Sequence, residues 1–160
     1  MKKWIKPAGV AVAALLVIAQ LFRPSRTNPP VDPALHLRAG GHVTPAALAV
    51  LERGCRDCHS SETTWPWYSN VAPMSWMVAD HVREGRREFN YSNWGTMPPG
   101  KASHVLEKMC EEVKEGGMPL PSYLVLHRDA RLTPADVDTL CAWTEAERAR
   151  LGVPAAVQRD

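Results

Sequence analysis

The stretch Gly54-Cys55-Arg56-Asp57-Cys58-His59 constrains this chain more than any other. Thiols at i and i+3 lie on one side of a helical turn, within reach of the two vinyl groups of a single porphyrin. The histidine that follows is carried under the ring, where its imidazole can ligate iron. On this reading Cys55 and Cys58 anchor one covalent haem c and His59 is the proximal ligand. Cys-x-x-Cys also serves redox dithiols and zinc sites. A thioredoxin-like dithiol expects a βαβ setting, whereas the residues before Cys55 read as a helix. Zinc needs two more ligands, and Cys110, Cys141 and the scattered histidines offer none in a paired spacing.

The compartment follows from the N-terminus. Lys2, Lys3 and Lys6 precede an uncharged run from Pro7 to Phe22, and Arg23 and Arg26 follow it. The run reaches about 20 residues if Trp4 and Ile5 join and Lys6 snorkels, enough for a signal anchor over 1–22. No clean pair of small residues after Leu16 marks a cleavage site, although a cleaved, soluble periplasmic form is the alternative. The basic N-terminus stays cytoplasmic and the rest is exported to the periplasmic side of a bacterial inner membrane. Haem attachment by maturation machinery and stable disulfides both belong there. Beyond the anchor and its flanking Arg23 and Arg26, 14 basic residues stand against all 17 acidic ones, a net charge of −3. No basic patch points to a nucleic-acid partner.

Residues 23–42, rich in proline and ending Gly40-Gly41, read as a semi-extended tether, followed by a domain over 43–152 and a tail over 153–160. Thr44-Pro45 opens a helix with Ala47, Leu48, Val50 and Leu51 on its apolar face, stopping at Gly54. A second helix spans Pro73 to Arg87, with Met74, Met77, Val78, His81, Val82 and Gly85 at helical spacing. Residues 89–94 form a turn with aromatic anchors, and 95–101 break any element. A third helix runs from Ala102 to Glu115. Thr133-Pro134-Ala135-Asp136 opens the last, with Val137, Leu140, Cys141 and Thr144 facing inward. No segment alternates like a strand. The expected fold is all-α: a cytochrome c-like domain of about four helices behind an N-terminal membrane helix.

Trp65, Trp67, Tyr68 and Trp76 are concentrated in 12 residues of a chain only 7% aromatic. They read either as a small satellite core or as a wall along the porphyrin edge. For the sixth iron position Met118 is the first candidate, in the loop Gly116-Gly117-Met118-Pro119, whose glycines let backbone approach the ring. His81, His127 and Met97 are rivals. His36, His42 and His104 read as solvent-facing or linker residues. Cys110 and Cys141, each on an inner helix face, are expected to pair as a disulfide.

Taken together, Cys55–Ser60, Thr64-Trp65-Pro66-Trp67-Tyr68-Ser69, Ala72-Pro73, Ser75-Trp76, Gly85-Arg86, Phe89–Trp94, Gly117-Met118-Pro119, Tyr123 and His127 resemble the haem-binding-domain proteins of bacteria. The resemblance covers roughly residues 30–147. It implies haem c on Cys55 and Cys58, ligation by His59 and an all-helical domain, and it says little about the physiological partner. The reading that results is a membrane-tethered monohaem electron carrier serving redox partner proteins, more an electron carrier than an enzyme. A haem-based ligand sensor or peroxidase-like protein with an open sixth site is the rival, and a domain whose haem is structural is a third reading.

Overall fold

The computed structural model describes residues 2–152, with side chains from Pro7 onward. The predicted tail over 153–160 and the side chains of Lys2, Lys3, Trp4, Ile5 and Lys6 lie outside the described residues. Among the described residues every regular element is helical: α1 (Lys2–Ala19), α2 (Leu37–Gly40), α3 (Pro45–Gly54), α4 (Arg56–His59), α5 (Met74–Glu88), α6 (Pro99–Glu115), α7 (Pro121–Leu124) and α8 (Pro134–Leu151), with short 3-10 turns between them.

The long helices begin where local chemistry starts them. Thr44 caps α3 by accepting from Ala47 N (3.2 Å), with Pro45 at the first helical position. Thr133 and Asp136 form a reciprocal capping box on α8. α6 starts at Pro99, three residues earlier than the sequence suggested. The prolines and Gly100 had read as breakers over 95–101. Pro99 fits at the first helical position, because that residue's N–H has no intrahelical partner to lose.

α6 and α8 pack together along most of their length, and α3 crosses α8. Leu51, Leu106 and Leu140 are fully buried between them, with Val50, Met109, Val113 and Trp143 around them. Cys110 on α6 and Cys141 on α8 are joined as a disulfide, with Cα atoms 5.0 Å apart. Closing a loop across 31 positions removes unfolded-state entropy, so Cys110→Ala with Cys141→Ala should cost about 3–4 kcal/mol. Urea unfolding of the non-reduced double variant checks this, and an unchanged midpoint contradicts it.

The predicted tether is not a free one. Leu37 is fully buried in the core, and α2 and the turn before it pack against the 3-10 turn Tyr91–Thr96. His36, expected to face solvent, is buried: its Nδ1 accepts from Arg38 N (3.1 Å) and its Nε2 pairs with Glu62 (3.1 Å). The domain therefore begins before residue 43. Leu37 supplies an apolar anchor that the surrounding prolines and glycines obscured.

α1 stands apart from that core. All its side chains from Pro7 to Ile18 are exposed. At 1.5 Å per residue its 18 residues span about 27 Å. Among the described residues no helix is long and apolar enough to cross a membrane, so the predicted spanning helix gains no support from this element's length and hydropathy.

Candidate functional site

α3 ends at Gly54, and Cys55 donates its backbone N–H to Leu51 O (2.9 Å). The single turn α4 follows at once, with Cys58 N and His59 N both bonded to Cys55 O (3.2 and 3.0 Å). The two thiols thus sit one helical turn apart, with the imidazole directly after the second.

Three neighbours hold this turn. Gly85 on α5 lies so close that an added Cβ would stand 2.6 Å from Cys58 O and 3.0 Å from Cys58 Cβ. Arg86 donates from Nε to Ser60 O (2.7 Å) and from its Nη atoms to Thr63 Oγ1 (2.9 Å), Asn28 Oδ1 (2.8 Å) and Thr27 O (3.2 Å). Asp57 accepts from Thr64 N and from Tyr123 Oη, both at 3.0 Å. The exit at Ser60 and Ser61 is buried, where Ser61 N donates to Ser92 Oγ (3.0 Å).

His59 is oriented by Phe89. The rings stack with centroids 4.3 Å apart, and Nδ1 lies 3.4 Å from Phe89 O. A proton on Nδ1 donated to that carbonyl leaves the lone pair on Nε2, the tautomer suited to binding iron. Burial pushes the imidazolium pKa down, offset in part by the Phe89 and Gly85 carbonyls, so the ring is neutral at neutral pH. Burial also pushes Cys55 up to about 12 and Cys58 up to about 11. Neither has the low-pKa thiolate of a redox dithiol. Nor do the described residues hold a group of three or more His, Cys, Asp or Glu that could bind a metal ion alone, so the zinc reading finds no ligand set.

Two cavities of about 470 and 290 Å³ flank the motif. Both are lined by Gly54, Cys55, His59, Glu88, Met118 and Pro119, and so form two lobes of one cleft. Phe89, Val105, Met109 and Val113 give the larger lobe an apolar wall, edged by Lys101, His104 and Lys108. The smaller lobe takes in Cys58, His81, Gly85 and Tyr123.

Met118 reaches the cleft because of how α6 ends. Gly116 adopts φ 74°, left-handed backbone that glycine takes without penalty, and Gly117 N and Met118 N both return to Glu112 O (2.9 and 3.2 Å). A Cβ on Gly117 would run into the Glu112 carboxylate. Among the rivals, His81 lines the smaller lobe. His127 is engaged elsewhere: it shares a hydrogen bond with Tyr68 Oη (2.7 Å) and stacks on Tyr123 at 4.0 Å. Met97 packs against the hydrophobic core and lines neither lobe.

The aromatic stretch is placed differently from the porphyrin wall expected of it. Trp65, Trp67 and Tyr68 line neither lobe. Trp65 Nε1 donates to Asn28 Oδ1 (3.2 Å), Tyr68 is held by His127, and Trp67 is 77% exposed. Tyr68 lines a separate, small cavity beside Asp57, Cys58 and Tyr123. Phe89 lines the larger lobe where these three rings do not, and its place in the Phe-Asn-Tyr turn was the only sequence signal for it. His104, read as solvent-facing, is exposed but edges the larger lobe; Lys101, Val105, Lys108 and Met109 share its helical stripe.

The donors gathered here include the Cys55 and Cys58 thiols, the His59 imidazole and the Met118 thioether, in a largely apolar cleft of an all-helical domain. That set suits a porphyrin iron, with sulfur and imidazole as its soft and borderline ligands, and it defines a haem protein. The haem-binding domain family model matches residues 14–146, and the chain belongs to that family. Its cofactor is haem. No curated protein and no solved structure matches the chain.

Proposed function

We propose that this protein is an exported monohaem c-type cytochrome that carries electrons, held to the bacterial inner membrane by residues 1–22. The observation that carries the proposal is His59: Phe89 O turns its Nε2 into a ligand, within a cleft lined also by Cys55 and Met118. Cys55 and Cys58 would hold the haem through thioethers, and His59 Nε2 and Met118 Sδ would be the iron's protein ligands. Haem supplies a one-electron couple, and thioether ligation raises its potential relative to a second histidine. Phe89, Val105, Met109 and Val113 exclude water from the iron. Lys101 and Lys108, exposed at the edge of the larger lobe, would offer cations to carboxylates of the macrocycle, Lys108 while also pairing with Glu111 (2.7 Å). The exposed, largely apolar side chains of α1 from Pro7 to Ile18 favour insertion into lipid, with export placing the domain among redox partner proteins and the haem maturation machinery.

The test is an optical spectrum of the haem-loaded chain, reduced and then exposed to carbon monoxide. A low-spin spectrum that carbon monoxide leaves unchanged is expected, and Met118→Ala should make the same protein bind the gas. Ready binding by the unaltered chain would instead support a ligand sensor or a peroxidase-like protein. In that case His81, which lines the smaller lobe beside His59, is the distal group to test.

A further inference from the structure

The joint between α1 and the domain is stiff. Gln20 brackets the backbone of Ala72, donating from Nε2 to its carbonyl (3.2 Å) and accepting from its N–H at Oε1 (2.9 Å). Two residues on, Phe22 O accepts from Trp76 Nε1 (2.6 Å). Arg23 donates to Asn70 O (3.1 Å), and Arg26 reaches Asn70 Oδ1. Gln20, Phe22, Arg23 and Arg26, in the segment leaving α1, are therefore all bonded to the stretch 70–76. No free linker separates the two.

That stretch and its neighbours carry unusual surface. Trp67 is 77% exposed, Val71 45%, Trp76 44% and Met77 36%, beside Leu21 at 80% and Phe22 at 69%. Scattered exposed apolar side chains need no explanation, but two indoles with this company around the end of one apolar helix form a patch. Trp76 Nε1 is satisfied by Phe22 O, and Trp67 makes a T-shaped ring contact with Tyr68 (centroids 5.9 Å) while most of its surface stays exposed. Tryptophan combines an apolar ring with a polar N–H and is favoured where hydrocarbon meets headgroups.

We propose that the surface formed by Trp67, Val71, Trp76 and Met77 docks on the lipid bilayer, at the interface where α1 enters it. The proposal rests on the reading of residues 1–22 as a membrane anchor. With α1 in the bilayer, the Gln20–Ala72 and Phe22–Trp76 bonds bring this stretch to the headgroup level, continuous with the apolar surface of α1. A second consequence concerns the haem cleft. α5 runs from Trp76 at the patch to Glu88 at the cleft, 12 residues or about 18 Å along its axis. Docking thus fixes the cleft's height and orientation above the membrane, which a flexible tether would leave free.

The test uses the full, haem-loaded chain in lipid nanodiscs, with the photoreactive residue p-benzoylphenylalanine placed singly at Leu16, Trp67, Val71 or Ala146. Leu16 reports on the anchor, and Ala146 is an exposed control on α8. Lipid adducts at Trp67 and Val71 should approach those at Leu16 and exceed those at Ala146 by about tenfold or more. Adducts at Leu16 with only control levels at Trp67 and Val71 would overturn the docking and leave the anchor standing. Control levels at Leu16 as well would overturn the anchor, and the docking with it.

Discussion

Gly85→Ala is expected to destabilise the protein and lower its haem content, although alanine is the better helix former. Propensity alone predicts a gain of about 1 kcal/mol for this change inside a helix. The added Cβ would stand 2.6 Å from Cys58 O and 2.9 Å from the Cys58 carbonyl carbon. These are backbone atoms of the Cys55–His59 turn, and Arg86, Asp57 and the buried serines tie that backbone in place, so relief requires α5 to move away from α4. Overpacking of this kind costs about 1–3 kcal/mol and should outweigh the gain. Gly100→Ala is the internal control. Nothing lies within 4 Å of a Cβ there, so that variant should match or slightly exceed the parent. Chemical unfolding midpoints and the haem-to-polypeptide ratio read both. Equal stability of the Gly85 and Gly100 variants would mean that the close approach of α5 to the motif contributes nothing.

Arg86→Ala should be at least as damaging, by another route. One guanidinium serves four acceptors on three segments: Thr27 and Asn28, Ser60, and Thr63. Ser60 and Thr63 are buried, so removing the donor strands polar groups that water does not readily reach. Charge-assisted hydrogen bonds to such groups contribute roughly 1.5–3 kcal/mol each, and the side chain is half-exposed, so a total near 3 kcal/mol is the reasonable scale. Arg86→Lys keeps the charge and should recover little, because an ammonium on a flexible stem lacks the planar fork that spans these acceptors. A lysine variant with the parent's urea midpoint would show that charge alone, and not the fork, holds the segments together.

The two variants mark where sequence and tertiary structure divide the work. Gly85 and Arg86 stand on a helix whose period was plain, yet nothing in that period says that one touches Cys58 and the other clamps residues 27, 28, 60 and 63. The same division separates Phe89 from the tryptophans. All are aromatic and near the motif in sequence, but Phe89 stacks on His59 whereas Trp65 bonds to Asn28 and Trp67 is exposed. His127 looked like a possible ligand until Tyr68 and Tyr123 proved to be its partners. Leu37 sat among residues that read as a tether, and only the packing against the turn at 91–96 makes it core.

What the sequence determined by itself was local: the Cys55–Cys58–His59 turn, the all-helical character, the starts of α3 and α8 at Thr44 and Thr133, and the reversal after α6 at Gly116-Gly117. Caps, left-handed glycines and i, i+3 spacings act within a few bonds, so they can be read along the chain. Only the tertiary structure decided which side chains share the cleft and how tightly α1 is joined to the domain. Those depend on contacts between residues 20 to 70 positions apart, where close approach and hydrogen-bond partners are set by packing and no local pattern records them.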